Sequence, residues 1–330
     1  MIDVLFLLLP GSLILDWAGP AEALRIANGL MRKQGRAAPF ALRFCAPRPQ
    51  SITSVGVQLA GLEALPASLA KHASWVVLVG QTGTPIGIDG PDARALLDWL
   101  RPLRLAPGRL ELVTICAGAV LAAHAGLLAG RRATTHHHHL DELQGVAPAC
   151  EVVRNRVFVE DSPVYSSAGV TTGIDLILHR IDAICGPALA AQVAQTMVVA
   201  LRRGPHDPEL SPFLAYRNHV HPALHRVQDA VSQSPQSDWS VPGMAAVAHT
   251  SPRHLTRLFL EYGQIAPLQY LRRIRLAVAQ TALASGDSVT EAAAAAGFSS
   301  DTQLRRAWQH FAVPGTPSRP AVSDMAIRYR

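Results

Sequence analysis

The sequence lacks several features that would assign it to common protein classes. Its four cysteines include no CxxC pair and no spacing typical of a metal site, which excludes a disulfide framework and suits a reducing compartment. No apolar run reaches membrane-spanning length. The apolar segment 1–10 lacks a positive start, carries Asp3 and breaks at Pro10, so it predicts a buried strand and not a signal peptide. These absences predict a cytoplasmic protein with no membrane partner.

Length and charge divide the chain into two parts. Its 330 residues suffice for two domains, and 49% hydrophobic content supports well-formed cores. Residues 1–200 hold 16 basic and 15 acidic side chains, whereas residues 201–330 hold 14 and 9, so the second part has the basic excess that attracts phosphates. Between them, residues 203–212 contain three prolines and a glycine, which is typical of a linker. The predicted parts are a domain at 1–200, a linker at 201–216, a domain at 217–320 and a tail at 321–330.

Residues 239–311 contain two copies of a helix-turn-helix pattern. In each copy, a short apolar helix is followed by a tight turn, a hydroxyl N-cap and a second, amphipathic helix. A shift of 49 residues pairs Leu255 with Leu304 and Phe259 with Trp308. One arginine-bearing surface helix would be weak evidence, but two in register, joined by a helix-length connector, predict a DNA-binding domain. The residues predicted to face DNA are Ser251, Arg253, Thr256, Arg257, Asp301, Thr302, Arg305 and Arg306.

This part of the chain resembles the AraC/XylS family of transcription regulators. The resemblance covers about residues 217–320. The matching segments are 249–259, 263–267, 269–276, 296–300 and 314–318. It implies that promoter DNA and RNA polymerase are partners and that the outcome is usually activation of a nearby operon.

The first 190 residues alternate short apolar runs with helical patterns, which predicts a flavodoxin-like α/β domain with a parallel sheet covered on both faces. The predicted strands are 4–9, 42–45, 75–79, 110–115, 157–159 and 165–167, and the predicted helices are 18–33, 92–100, 119–128 and 173–185. A further helix at 186–201 carries an apolar stripe that we predict to be exposed and to pair with another copy, giving a homodimer. The predicted fold class is thus α/β followed by an all-α domain with two helix-turn-helix motifs.

Cys116 lies where a predicted strand turns sharply into a helix. Its small neighbours Ala117 and Gly118 permit this geometry, and the amide end of the helix predicts a lowered thiol pKa. His136 and Asp16 lie where both could reach the same crevice at the carboxyl ends of the strands. Acid, thiol and imidazole thus form a candidate set, with Cys116 as the candidate nucleophile.

The first domain resembles the ThiJ/PfpI group of the class I glutamine amidotransferase-like superfamily over about residues 2–190. The matching segments are 15–20, 115–118, 127–136 and 167–175. In that group the elbow cysteine is a nucleophile, a redox-sensitive thiol or a remnant, and Asp16 matches an acidic residue that commonly bonds it. Gly80 and Gln81 occupy a loop whose amides would form an oxyanion or carboxylate nest. The predicted ligand-binding residues are Asp16, Gly80, Gln81, Cys116, Ala117, His136 and Thr171, the last in a turn whose amides could face an anionic effector.

These patterns predict a transcriptional regulator in which the first domain binds a small molecule and the second binds DNA. The resemblance implies an amino acid, a quaternary amine or a related nitrogen compound as effector. No catalytic residue and no cofactor is expected. For the histidine run 136–139, adjacent side chains of a strand or loop point in alternate directions and no carboxylate or thiol cluster completes a shell, so no metal site is predicted. The alternatives are a cysteine-dependent hydrolase or hydratase and an oxidation sensor, both using Cys116.

Overall fold

A computed structural model of the chain comprises two compact units, Met1–Glu209 and Leu210–Arg330. It describes residues 1–70, 72–199, 203–205, 207, 209, 211–313 and 315–320, so the predicted tail at 321–330 lies outside the described residues. The boundary divides the predicted linker. Arg203 forms an ion pair with Asp175, and the amide of Val157 donates to the carbonyl oxygen of Asp207, so both residues from the linker contact the first unit. No helix among the described residues is long and apolar enough to cross a membrane.

The first unit is built around a seven-stranded sheet with the order β10-β11-β7-β6-β1-β2-β5. The strands of this unit are β1 Ile2–Leu7, β2 Phe40–Ala46, β3 Gln50–Ile52, β4 Gln58–Ala60, β5 Glu63–Ala64, β6 Ser74–Leu78, β7 Leu110–Ile115, β8 Arg132–Ala133, β9 Glu151–Val152, β10 Phe158–Asp161 and β11 Val164–Ser167. Its helices are α1 Ile14–Lys33, α2 Pro91–Leu100, α3 Gly118–His124, α4 Leu140–Val146, α5 Thr172–Cys185 and α6 Pro187–Thr196, with a 3₁₀ helix at His137–His139.

The predicted α/β class with a mostly parallel sheet is confirmed, with one exception at its edge. Strand β10 runs antiparallel to β11, because only Ser162 and Pro163 join the two strands and a parallel crossover needs a dozen or more residues. The central strands are buried along most of their length, which matches their continuous apolar runs. Strands β3, β4, β5, β8 and β9 have two or three residues each, too few for a periodic pattern in the sequence.

The predicted exposed stripe on the helix at 186–201 is wrong. Helix α6 ends at Thr196, and its residues Leu189, Ala190 and Val193 are at most 5% exposed within the core of the first unit. It packs on α1 and α5. An apolar stripe shows that a helix buries one face but not which surface covers it, and here the covering surface belongs to the same unit.

The second unit is all-helical apart from one short strand pair. Its elements are α7 Pro212–Ala215, α8 Pro222–Gln233, α9 Val241–Val247, α10 Pro252–Tyr262, α11 Pro267–Ala284, α12 Val289–Ala295, α13 Asp301–His310, β12 Gly315–Thr316 and β13 Arg319–Pro320. Helix α11 has 18 residues, a length of about 27 Å, and contributes to two cores. Its first half packs with α8, α9 and α10, and its second half packs with α12 and α13. The predicted pair of helix-turn-helix motifs is therefore confirmed, with α11 as the connector.

Candidate functional site

Cys116 occupies a sharp turn between β7 and α3. Its φ angle of 56° lies in the left-handed region, which a residue with a Cβ adopts only when its surroundings hold it there. At Gly118, where α3 begins, a Cβ would overlap the carbonyl oxygen of Leu78 on the neighbouring strand. Glycine at this position therefore lets the helix start directly above the sheet.

Asp16 lies against Cys116 and is 0% exposed. Its carboxylate accepts hydrogen bonds from the backbone amides of Gly80 (2.9 Å) and Val170 (2.9 Å), and it also bonds the Cys116 thiol. A Cβ on Gly80 would lie 2.6 Å from Asp16 Oδ2 and 2.8 Å from Cys116 Cβ. Glycine at position 80 is thus required for the carboxylate and the thiol to meet.

Burial sets the protonation of this pair. It raises the pKa of Asp16 from 3.8 to about 6, although the two amide hydrogen bonds lower it. Burial, followed by the charge of Asp16, raises the pKa of the Cys116 thiol far above its ordinary value, against the smaller lowering effect of the Ala117 amide. The prediction of a lowered thiol pKa is therefore wrong, because desolvation and a buried carboxylate outweigh the amide end of a seven-residue helix.

Two residues of this crevice are absent from the sequence-based set. Gly169 has a φ of 105°, and a Cβ there would overlap the Cys116 side chain. Thr135 donates a hydrogen bond from Oγ1 to the carbonyl oxygen of Cys116 (2.8 Å). Both lie within segments that resemble the ThiJ/PfpI group, so the signal was present, but their proximity to Cys116 depends on strands distant in sequence.

The other predicted ligand-binding residues have varied surroundings. Ala117 is 1% exposed and follows the elbow directly. Gln81 donates its side-chain amide to the carbonyl oxygen of Gly87 (3.2 Å), and the hydroxyl of the exposed Thr171 accepts from Arg203 Nη2 (3.0 Å). The backbone amide of Gly80 already donates to Asp16, so the protein's own carboxylate occupies this part of the predicted nest.

His136 does not complete an acid–thiol–imidazole set. Its Nδ1 accepts a hydrogen bond from the amide of His138 (3.3 Å), and within the described part of the chain no hydrogen bond joins it to Cys116. Burial and the neighbouring histidines lower the pKa of His136 to about 4. The run 136–139 is a turn of 3₁₀ helix and not extended, so the expectation that its side chains alternate in direction is wrong.

The two helix-turn-helix motifs have the predicted caps. The Ser251 hydroxyl accepts from the amide of His254 (3.2 Å) at the start of α10, and the Ser300 hydroxyl accepts from the amide of Gln303 (3.3 Å) at the start of α13. These caps are 49 residues apart, whereas the caps of α9 and α12 are 48 apart, so the second turn is one residue longer. In that turn Gly297 has a φ of 81°, and a Cβ would lie 2.5 Å from the Cα of Gln236.

Most of the predicted DNA-facing residues lie on the outer faces of α10 and α13. Arg253 and Arg257 are exposed on α10, and Arg257 Nη2 contacts His254 Nδ1 at 2.9 Å. The residues Thr302, Arg305 and Arg306 are exposed on α13. The same face of α13 carries the exposed Gln303, which sequence reasoning missed although it lies between predicted positions.

Three predicted DNA-facing residues have local structural partners. Thr256 is half-buried and donates its hydroxyl hydrogen to the carbonyl oxygen of Pro252 (2.9 Å). Asp301 is half-buried and accepts from the Thr290 hydroxyl (3.1 Å), which joins α13 to α12. Ser251 is the N-cap described above. Base contacts are therefore expected mainly from the arginines.

The fold and these sites define the class of protein: an α/β domain with a cysteine elbow, joined to a double helix-turn-helix domain. Residues 75–183 match the DJ-1/PfpI family, and residues 244–312 match a helix-turn-helix domain. The HTH-type transcriptional regulator CdhR of Pseudomonas aeruginosa is 30% identical over 93% of this chain and 88% of its own length. The HTH-type transcriptional regulator GlxA of Rhizobium meliloti is 30% identical over 92% of this chain and 91% of its own length.

The chain belongs to the AraC-type transcriptional regulators that carry an N-terminal DJ-1/PfpI (ThiJ) domain. A crystal structure of a ThiJ/PfpI family protein from Pseudomonas syringae matches 74% of this chain and 90% of its own with a TM-score of 0.51 and 18% identity, which supports the fold. The helix-turn-helix domain implies DNA binding.

Proposed function

We propose that the first unit binds a small molecule beside Asp16 and Cys116 and that this binding changes the affinity of the second unit for promoter DNA. The observation that carries the proposal is the internal satisfaction of the elbow. The Asp16 carboxylate bonds two backbone amides and the thiol, and the thiol pKa is raised, so the crevice is arranged for recognition more than for nucleophilic attack. The effector we propose is an amino acid, a quaternary amine or a related nitrogen compound.

A run of direct contacts leads from this crevice towards the unit boundary. The Val170 amide bonds Asp16, and the next residue, Thr171, accepts from Arg203. Arg203 in turn donates to the buried Asp175 through its backbone amide (3.0 Å), Nε (2.9 Å) and Nη2 (2.6 Å). An effector that displaced the Val170 amide from Asp16 would therefore disturb the anchorage of Arg203, six residues before the first unit ends.

Arginine substitutions on α10 and α13 test the DNA-binding part of the proposal. An operator is first selected from random DNA with the full chain, and binding to it and to unrelated DNA is measured by fluorescence anisotropy. Arg257→Ala or Arg306→Ala should cost about 1–3 kcal/mol on the operator and little on unrelated DNA if the arginine reads a base. Equal loss on both DNAs would assign the arginine to phosphate. Arg272→Ala, on the exposed face of α11, is the matched control.

A thermal-shift screen of amino acids and quaternary amines tests the sensing part. A ligand present at about 100 times its Kd should stabilise the chain by about 2.7 kcal/mol. The ligand should also change the operator affinity of the wild-type chain. Both effects should disappear in Thr171→Ala or Gln81→Ala if these residues line the site. A ligand that stabilises the chain but leaves operator affinity unchanged would contradict the proposed coupling.

One observation favours a second function, thiol chemistry at Cys116. The strained φ of 56° is the backbone geometry that raises a nucleophile at a strand-to-helix turn. A hydrolase, a hydratase or an oxidation sensor would each need this thiol. Loss of turnover, or of a peroxide response in DNA binding, on Cys116→Ser with operator affinity kept would support this function. The raised thiol pKa argues against it.

Two partners remain proposals, a second copy of the chain and RNA polymerase. With the stripe of α6 buried, the dimer has no assigned surface among the described helices of the first unit. Light scattering coupled to size-exclusion chromatography, with and without operator DNA, measures the oligomeric state. Transcription in vitro with purified polymerase and the selected operator measures activation directly.

A further inference from the structure

Three histidines form a compact group beside the elbow. Each of His136, His137 and His138 offers a ring nitrogen, and these nitrogens all lie within 4.8 Å of one another. The ring centroids of successive residues are 4.1 and 4.3 Å apart, and those of His136 and His138 are 5.0 Å apart. The hydrogen bond from Thr135 to the Cys116 carbonyl fixes the start of this turn against the elbow.

A buried carboxylate orients the middle ring. Glu209 Oε1 lies 2.8 Å from Nδ1 of His137 and also accepts from the His137 backbone amide at 3.1 Å. The Glu209 side chain is only 7% exposed. A carboxylate on one ring nitrogen fixes the tautomer and the ring plane, and it leaves Nε2 to face a metal ion.

The fourth histidine of the run serves a different purpose. Nδ1 of His139 lies 2.7 Å from Glu142 Oε2, and Glu142 also accepts from the backbone amide of Ile86 (2.7 Å). The ring of His139 is 6.3 Å from that of His136 and is buried. His139 thus anchors the turn to the rest of the unit, and the three preceding rings form the group that faces outward.

We propose that His136, His137 and His138 bind a divalent transition metal ion, with Zn²⁺ as the ion whose chemistry fits best. Zn²⁺ accepts three imidazoles and an open fourth position, whereas Mg²⁺ and Ca²⁺ require oxygen ligands. Around a tetrahedral ion with Zn–N distances of about 2.0–2.1 Å, the three nitrogens close to roughly 3.4 Å from one another. Rotation of the exposed His138 ring provides this movement, and the fourth position is left to water.

The metal site would tie the end of the first unit to the elbow. Glu209 is the last residue of this unit, and it holds His137 through both the ring and the backbone. A bound cation makes the Nδ1 hydrogen of His137 a stronger donor, so occupancy strengthens the contact with Glu209. This role does not depend on the identity of the organic effector.

Isothermal titration of the untagged full chain with ZnCl₂, after dialysis against a chelator, tests the proposal, with mass spectrometry of bound metal as a second readout. We expect one Zn²⁺ for each chain, with no binding of Mg²⁺. His137→Ala and His138→Ala should abolish stoichiometric binding, and Glu209→Gln should weaken it by about 10- to 100-fold. The control His72→Ala, which changes an exposed histidine outside the run, should bind as the wild type does.

Three results would overturn the site. These are no stoichiometric Zn²⁺ in the wild type, unchanged affinity in His138→Ala, or loss of the ion on Cys116→Ser, which would place it on the thiol. His138 is exposed and Glu209→Gln keeps the shape of the side chain, so circular dichroism of these two variants separates loss of metal from loss of fold.

Discussion

The charge of Asp16 controls the ionisation of Cys116, and Asp16→Asn tests this directly. A Cβ on Gly80 would lie within 3.0 Å of both Asp16 Oδ2 and Cys116 Sγ, so the carboxylate and the sulfur are near neighbours. Two like charges about 4 Å apart at an effective dielectric constant of about 20 repel by about 4 kcal/mol. Removing the carboxylate charge should therefore raise the population of the Cys116 thiolate by up to about 10³-fold. Burial still disfavours the thiolate after the substitution.

The rate of alkylation by iodoacetamide measures this population. The full chain is treated at pH values from neutral to alkaline, and peptide mass spectrometry follows each cysteine separately. Wild-type Cys116 should react more slowly than a free thiol because it is 4% exposed and its pKa is raised. In Asp16→Asn the rate should increase at each pH above about 6, where Asp16 is ionised in the wild type.

Cys45 provides the internal control for this experiment. It lies in the same unit, and burial raises its pKa to about 11 with no contribution from Asp16. Its rate should therefore be the same in both proteins. An unchanged rate at Cys116 would refute the electrostatic argument, and a parallel increase at Cys45 would show that the substitution had loosened the whole unit.

Three further predictions concern stability. Because burial raises the pKa of Asp16 from 3.8 to about 6, its contribution is present below pH 3.8 and is lost as the pH rises through 6, so hydrogen exchange of β7 should show about 3 kcal/mol less stability at neutral pH in the wild type than in Asp16→Asn, relative to acid pH; a pH-independent difference would contradict this. Glu111→Ala removes the partner of the buried Arg180 guanidinium and of the Trp75 indole, and urea unfolding should show a loss of about 3–5 kcal/mol, with a smaller loss in Glu111→Gln. Gly297→Ala puts a Cβ 2.5 Å from Gln236 Cα and should cost about 1–3 kcal/mol in thermal unfolding, more than the control Gly286→Ala, which has positive φ but open space; equal costs would exclude the clash.

The helix-turn-helix repeat could be predicted because its signals are local. The spacing of Leu255, Phe259, Leu304 and Trp308 gives the buried face of each helix, and those residues are at most 2% exposed in the structure. Exposure of the arginines then follows from helical geometry. The longer second turn could also be read from the sequence, but a single shift of 49 residues conceals it.

The first unit shows where local signals end. The elbow at Cys116 and its neighbour Asp16 could be predicted, because a strand, a small-residue turn and a helix succeed one another in the sequence. The direction of the thiol pKa could not, since it depends on burial and on a carboxylate 100 residues away. The same holds for His137, whose ring is oriented by Glu209 from 72 residues along the chain.

The sequence by itself determined the order of elements, the two helix-turn-helix motifs and the position of the elbow, because periodic burial and turn chemistry act over a few residues. Only the tertiary structure decided which surface covers the stripe of α6, which amides bond Asp16 and which rings meet at residues 136–138. Each of these depends on segments distant in sequence, and desolvation and Coulomb energies follow distance in space and not distance along the chain.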